Sequence, residues 1–112
     1  MEHIKLINLE DFQKLDLRTA KIEEVIPIEG STKLLLLKID LGDQKRQIVA
    51  GIGEDYQKED LLNKQIVVVS NLETKKIKGI ESQGMLLAAK NYDGRVVLIV
   101  PEKDILPGSK IS

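Results

Sequence analysis

The sequence predicts an all-β protein of one domain, a five-stranded Greek-key barrel with one short helix. Short apolar segments alternate with turns rich in glycine, proline and polar residues, a pattern typical of strands. Three predicted strands precede one helical segment, and two follow it before an extra strand and a tail. At 112 residues the chain has the length of one domain, and no repeat or linker divides it.

The first half supplies a helical turn and three strands. Asn8 is a suitable cap for a turn over 8–14. Strands are predicted over 17–26, 33–41 and 46–50, each followed by a turn with glycine. The imperfect alternation of the first strand indicates a bulge.

The second half supplies the helix and the remaining strands. A helix is predicted over 55–63, and strands over 65–71, 84–89 and 96–100. Three strands, a helix and two strands is the order of the OB-fold, a partly open Greek-key barrel. Residues 1–14 and 91–112 then form N- and C-terminal extensions. Another small barrel or an α+β sheet is the rival interpretation.

Continuous apolar runs over 34–37, 66–69 and 96–100 do not suit a lone barrel in water. Strands of such a barrel should alternate between apolar and polar residues. We expect the outer faces to be covered, one by the tail after Asn91 and the rest by a second subunit. The sequence therefore predicts a homodimer with contacts from both extensions.

Composition favours a cytoplasmic protein. Cysteine is absent, which excludes disulfides and thiol catalysis. The chain has no long apolar run and no charged-then-apolar leader, so we expect neither a membrane span nor a signal peptide. The net charge of −1 argues mildly against nucleic acid, but residues 64–90 hold five lysines and two acids. A solvated lysine-rich loop is the plain alternative to a binding surface.

No catalytic residue, metal site or cofactor is predicted. His3 is the only histidine and has no partner motif, so we interpret it as a surface residue near the chain start. The sequence around 51–53, Gly-Ile-Gly, lacks the third glycine of a phosphate loop and is interpreted as a turn. Adjacent acids point apart on regular elements, so we assign four acidic pairs to the surface: Glu10–Asp11, Glu23–Glu24, Glu54–Asp55 and Glu59–Asp60.

Residues 71–89, NLETKKIKGIESQGMLLAA, combine the residue types of an RNA-binding loop. Lysines contact phosphates without reading sequence. Ser82 and Gln83 suit ribose hydroxyls or base edges, and Met85 offers a pliable apolar contact. An ordinary loop between two strands is the alternative, although this loop of an OB-fold is one of two that usually hold ligand.

IKGIESQGMLLAA resembles the signature of the tRNA-binding domain at the C-terminus of methionyl-tRNA synthetases. The same domain occurs as a free-standing tRNA-binding protein, as an archaeal synthetase beta subunit and in endothelial-monocyte-activating polypeptide. The similarity extends over nearly the whole chain: NLEDFQKLDLRTAKI resembles the family's opening, KLLLLKIDLG its second strand and RQIVAGI its third strand and turn.

The resemblance implies an OB-fold that forms a homodimer and binds tRNA by overall shape, without catalysis. Two departures bear on affinity. The run IPIEGST stands where the family often has His-Pro and Ala-Asp, and Lys78 stands where relatives often carry arginine, which grips phosphate bidentately. The implied RNA-facing residues are Lys33, Asn71, Lys75, Lys76, Lys78, Ser82, Gln83 and Met85.

These observations predict a tRNA-binding module that is free-standing or belongs to methionyl-tRNA synthetase, where it assists the catalytic subunit. Two alternatives stay open. A related branch of the fold is an export-associated chaperone that binds peptides, although it tends to lack the lysine-rich Glu-Ser-Gln-Gly-Met loop. The chain could also be a pure dimerisation appendix, against which the basic segment speaks.

Overall fold

A computed structural model describes residues 4–112; His3 and part of the N-terminal extension therefore lie outside the described residues. The elements in chain order are α1 (Leu9–Gln13), β1 (Leu17–Pro27), β2 (Leu35–Asp40), β3 (Lys45–Ala50), α2 (Lys58–Leu61), β4 (Gln65–Val69), β5 (Lys75–Ile77), β6 (Ile80–Ser82), β7 (Met85–Leu86), β8 (Ala88–Lys90), β9 (Val96–Leu98) and β10 (Lys110–Ile111).

The main sheet is antiparallel and curled, with strand order β3-β2-β1-β4-β7. β1 is long enough to pair with both β2 and β4, and its register shifts between Ile22 and Glu24, which confirms the predicted bulge. Bulges of this kind increase twist and let a sheet curl toward closure. The fold is an OB-like barrel, as the strand order of the sequence predicts.

The interior is filled by aliphatic side chains from alternate positions of the strands. β2 alternates buried and half-buried residues, so its apolar run 34–37 still has an inner and an outer face. Leu61 of α2 is fully buried and caps the barrel. The largest fully buried side chains are Ile22, Leu37, Ile39, Ile48, Leu61 and Ile66.

β4 is the one strand of the main sheet whose apolar run is buried on both faces, over residues 66–69. The C-terminal tail lies on the outer side of this region. Gln65 exchanges hydrogen bonds with the backbone of Ile105, and Thr19 of β1 accepts from Ser109 N at 3.0 Å. Gly108 makes this approach possible: it has φ +84°, and an added Cβ would meet the Leu41 carbonyl at 2.1 Å. The tail thus covers an outer face, as predicted.

Several element boundaries differ from the sequence-based expectations. The helix over 55–63 is only α2, because Asp60 accepts from the backbone N–H of Gln57 at its start and Asn63 is left-handed after its end. The strand over 84–89 is broken at Leu87, whose N–H bonds to Val67 and whose carbonyl accepts from Ile99. The strand over 96–100 ends at Leu98, and the tail includes the short β10.

Candidate RNA-binding surface

The predicted loop after β4 is a β-hairpin rather than an irregular loop. β5 and β6 pair with Lys75 opposite Ser82, Lys76 opposite Glu81 and Ile77 opposite Ile80. The two-residue turn between them is Lys78-Gly79, with φ of +51° and +77°. Positive φ at both turn positions matches the twist of a two-residue hairpin, and glycine at the second adopts it freely. The sequence analysis missed this hairpin because its strands are only three residues long.

The hairpin is attached to β3 and thereby closes the barrel. Ser82 Oγ accepts a hydrogen bond from Val49 N at 2.9 Å. The backbone N–H of Gln83 donates to Gln47 O at 2.9 Å, and its side-chain oxygen accepts from Gln47 N at 3.1 Å. Gln47 in turn donates from its side chain to Glu81 O at 2.9 Å. The position of the hairpin is therefore set by polar bonds to one strand of the barrel.

The hairpin carries the lysines of the basic segment. Lys75, Lys76 and Lys78 are exposed, and within residues 4–112 no carboxylate lies within 4 Å of their ammonium groups. Lys45 of β3, by contrast, is held by Glu23 and Asp40 at 2.8 and 3.6 Å. The three hairpin charges are available to an external anion.

Ser82 and Asn71 have structural partners where the sequence analysis expected RNA contacts. Ser82 is only 4% exposed, and its hydroxyl is engaged by Val49 and Gly84. This corrects the expectation that its hydroxyl faces RNA. Asn71 Oδ1 accepts from Asp16 N at 2.8 Å and its Nδ2 donates to Lys14 O at 2.7 Å, which joins the end of β4 to the residues before β1.

Lys33 lies on a neighbouring loop at the same end of β3. Its side chain runs across Gly51, where an added Cβ would lie 3.1 Å from Lys33 Cε. Its carbonyl accepts from Gly53 N at 2.7 Å. Residues 51–53 thus form the predicted turn, and the loop that carries Lys33 packs against them. Lys33 therefore packs at Gly51, just after β3 and two residues beyond Val49, to which the hairpin is attached.

An apolar groove of about 300 Å³ runs between the hairpin and β7. Met85 is 51% exposed and Leu72 is 43% exposed, and both line the groove. The sequence analysis did not find this groove, since it depends on which residues the hairpin brings together. Its lining comprises Val49, Leu72, Glu73, Lys75, Ile77, Ser82, Gly84 and Met85.

The carboxylate pairs assigned to the surface are all exposed. Within residues 4–112 no three histidine, cysteine or acidic side chains converge as metal ligands would. Among the described carboxyl groups, Asp16 has a lowered pKa, because Ser70 and then Arg18 donate hydrogen bonds to it. None of the helices over the described range is long and apolar enough to cross a membrane.

Comparison with known proteins finds relatives of this chain among the methionine–tRNA ligases. Methionine–tRNA ligase of Caldanaerobacter subterraneus subsp. tengcongensis is 51% identical over 111 residues, which cover 99% of this chain. That match covers 17% of the ligase, so the chain spans about a sixth of the length of such relatives.

Solved structures extend the comparison. A MetRS-related protein from Pyrococcus horikoshii has a TM-score of 0.92 and 33% identity, covering 97% of this chain and all of the other. Chaperone CsaA from Bacillus anthracis has a TM-score of 0.90 and 34% identity, covering 96% of this chain and all of the other. A sequence profile described as "Putative tRNA binding domain" matches residues 17–110. Since that match spans most of its length, the chain belongs to the tRNA-binding domain family.

Proposed function

We propose that this chain binds folded tRNA, with the β5–β6 hairpin as its principal contact. The observation that carries the proposal is the set of three exposed lysines, Lys75, Lys76 and Lys78, which have no carboxylate neighbour within 4 Å in the described chain. Unpaired lysines on a rigid hairpin suit phosphates, because they lose little internal pairing when RNA binds.

The preference for folded RNA follows from where the aromatic rings lie. Single-strand binding by OB-folds relies on bases that stack on aromatic side chains. Tyr56 packs against the core and accepts from Leu98 N, Phe12 lies in the N-terminal extension and Tyr92 lies in the turn between β8 and β9. None of the three is on the hairpin, so the surface suits phosphates and 2′-hydroxyls of a folded RNA.

The predicted site residues take different roles in this proposal. The three hairpin lysines and Lys33 contact phosphates, and Met85 contacts an apolar part of the RNA. Gln83, Asn71 and Ser82 position the hairpin and the strand before it through the bonds described above. Positioning residues affect affinity through the shape of the site.

The proposed role is non-catalytic. Attached to or acting beside a methionyl-tRNA synthetase in the cytoplasm, the chain would raise the effective concentration of tRNA near the catalytic domain. The homology supports this association, since a segment of a methionine–tRNA ligase is about half identical in sequence to this chain. Aminoacylation would belong to the other part of such an enzyme.

We further propose that the chain acts as a homodimer through its N-terminal extension. Ile4, Leu6, Ile7 and Leu9 are largely exposed, Leu6 at 93%. Beside them, an apolar groove of about 260 Å³ lies between α1 and β10. A contiguous exposed patch of this kind is typical of an interface, and two-fold pairing would place two hairpins on one particle.

A peptide-binding chaperone is the second candidate function. The groove beside Met85 and the similarity to chaperone CsaA favour it. The unpaired lysines favour RNA, because an apolar peptide has no anionic groups for them to bind.

Competition at moderate salt separates the two functions. Labelled native tRNA is bound to the chain and displaced by unlabelled tRNA, by a single-stranded homopolymer of the same length, or by an unfolded polypeptide. We expect displacement by tRNA at much lower concentrations than by the other two. Equal displacement by the homopolymer would contradict recognition of folded RNA, and stronger displacement by the polypeptide would favour the chaperone.

A further inference from the structure

We propose that the groove between the hairpin and β7 holds one unstacked nucleobase of the bound RNA. The inference rests on the proposed tRNA binding and names the part of the RNA that the groove takes. Base-paired stems present phosphates and ribose, but an unpaired base that leaves the stack must bury its faces elsewhere.

The walls of the groove suit the faces of a base. Leu72 and Met85 supply half-exposed aliphatic and thioether surface, and Val49 and Ile77 complete the lining. A flexible thioether adapts to a flat partner and contacts ring edges favourably. Burial of a base would remove both apolar side chains from water, which the folded chain alone leaves partly exposed.

The rim charges orient the occupant. Lys75 lines the groove and follows directly into Lys76 on the same strand, while the carboxylate of Glu73 lies at the rim as well. The Lys75 ammonium suits the phosphate of a bound nucleotide. The Glu73 carboxylate accepts hydrogen bonds and so suits an exocyclic amino group of a base. An apolar peptide would contact the apolar walls but has no negatively charged group to bind Lys75.

A single base is the occupant that fits best with the rest of the surface. The groove has no aromatic ring to support a run of stacked bases, and its volume is only about 300 Å³. A folded RNA with one extruded base uses the groove and the hairpin lysines together. The lysines then supply sequence-independent affinity, and the groove distinguishes RNAs with an accessible unpaired base from continuous duplex.

The test compares two RNAs and two sets of variants. The RNAs are a native tRNA and a fully paired RNA duplex of similar charge. The groove variant is Leu72→Ala with Met85→Ala, and Leu62→Ala, a partly exposed leucine after α2, is the control. The groove variant is expected to lose roughly tenfold in tRNA affinity, the effect typical of one lost base contact, and to bind duplex unchanged. Thermal melting checks that both variants remain folded.

The charge variant Lys76→Gln with Lys78→Asn, at two hairpin lysines that do not line the groove, separates the two proposals. This variant is expected to bind tRNA and duplex more weakly by similar factors. If the wild-type chain binds no tRNA, the proposed function and this inference are both wrong. If tRNA binds and the groove variant loses nothing, or loses equally for duplex, the base-binding inference alone is wrong. Chemical probing supports it if one unpaired base is protected by wild type and reactive in the groove variant. Displacement of tRNA by an unfolded polypeptide that depends on the same two residues would assign the groove to peptides and overturn it.

Discussion

Ser82 Oγ lies 2.9 Å from Val49 N and joins the lysine hairpin to β3 of the barrel. The hydroxyl is buried and also donates to Gly84 O at 3.2 Å. β3, an edge strand of the main sheet, and the proposed RNA-binding element are thus joined by this small side chain, beside the bonds of Gln47 with Gln83 and Glu81. We expect the residue to act on stability first and on RNA through the position of the hairpin.

Ser82→Ala tests this role. The substitution removes the hydrogen bond of the half-buried Val49 N–H, so the free energy of unfolding should fall by about 1 kcal/mol. Thermal or urea unfolding measures the loss, and tRNA affinity at a temperature well below the transition measures any effect on binding. Unchanged stability together with a large loss of affinity would instead place the hydroxyl on the RNA.

Lys78 offers a way to remove charge without loss of structure. Its φ of +51° is strained for lysine but suits asparagine or glycine at the first position of a two-residue hairpin turn. Lys78→Asn should therefore preserve or raise stability, by up to about 1 kcal/mol, while it weakens tRNA binding. Lys78→Ala, which removes the same charge but resists positive φ, is the matched variant. A lower melting temperature for Lys78→Asn than for Lys78→Ala would contradict this account of the turn.

Acid should weaken the fold near Asp16. Hydrogen bonds from Ser70 and Arg18 lower the pKa of this carboxyl below its ordinary value of about 3.8. The folded state therefore binds the proton more weakly than the unfolded state, and the stabilisation is present above that ordinary value. It is lost as the pH falls through the lowered pKa. Stability measured from neutral pH to about pH 2 should fall less steeply in Asp16→Asn than in wild type.

The matched acid control is Glu54→Gln, on an exposed carboxylate. Its acid profile should follow that of wild type. If the Asp16 and Glu54 variants have the same profile, the Ser70 and Arg18 bonds contribute nothing to the acid sensitivity.

The proposed dimer predicts a mass of about twice 12.5 kDa at micromolar concentration by light scattering. Leu6→Asp with Leu9→Asp places charges in the exposed apolar patch and should give a monomer. Leu106→Asp, at an exposed leucine of the C-terminal tail, is the control. Because the proposed interface is the N-terminal patch, this variant should keep the wild-type mass. A wild-type monomer with full tRNA affinity would remove the dimer from the account.

Much of the fold could be predicted from periodicity and turns. The bulge of β1 was predicted from imperfect alternation over 17–26, although only the structure locates it between Ile22 and Glu24, and the strand order indicated the barrel. The continuous run in β4 correctly signalled two covered faces, one of them beneath the chain's own tail. The run in β2 misled, because its residues still alternate between buried and half-buried positions in the closed barrel.

The candidate site was harder to predict because its chemistry depends on register. The lysines were evident from composition, but only the pairing of Lys75 with Ser82 shows that both residues lie beside the same groove. Leu72 and Val49 carried no signal in the sequence, since isolated aliphatic residues are ordinary in strands and turns. Their significance arises when the hairpin is attached to β3.

The salt dependence of tRNA affinity tests the central claim most directly. The variant Lys75→Gln, Lys76→Gln, Lys78→Asn removes three charges from the hairpin, and Lys58→Gln with Lys103→Gln removes exposed lysines elsewhere as a control. Each phosphate contact contributes about 0.7–0.9 to the slope of log affinity against log salt, so the hairpin variant should have a slope flatter by about two to three units. The control should retain the wild-type slope. An unchanged affinity and slope in the hairpin variant would contradict tRNA binding through the β5–β6 hairpin.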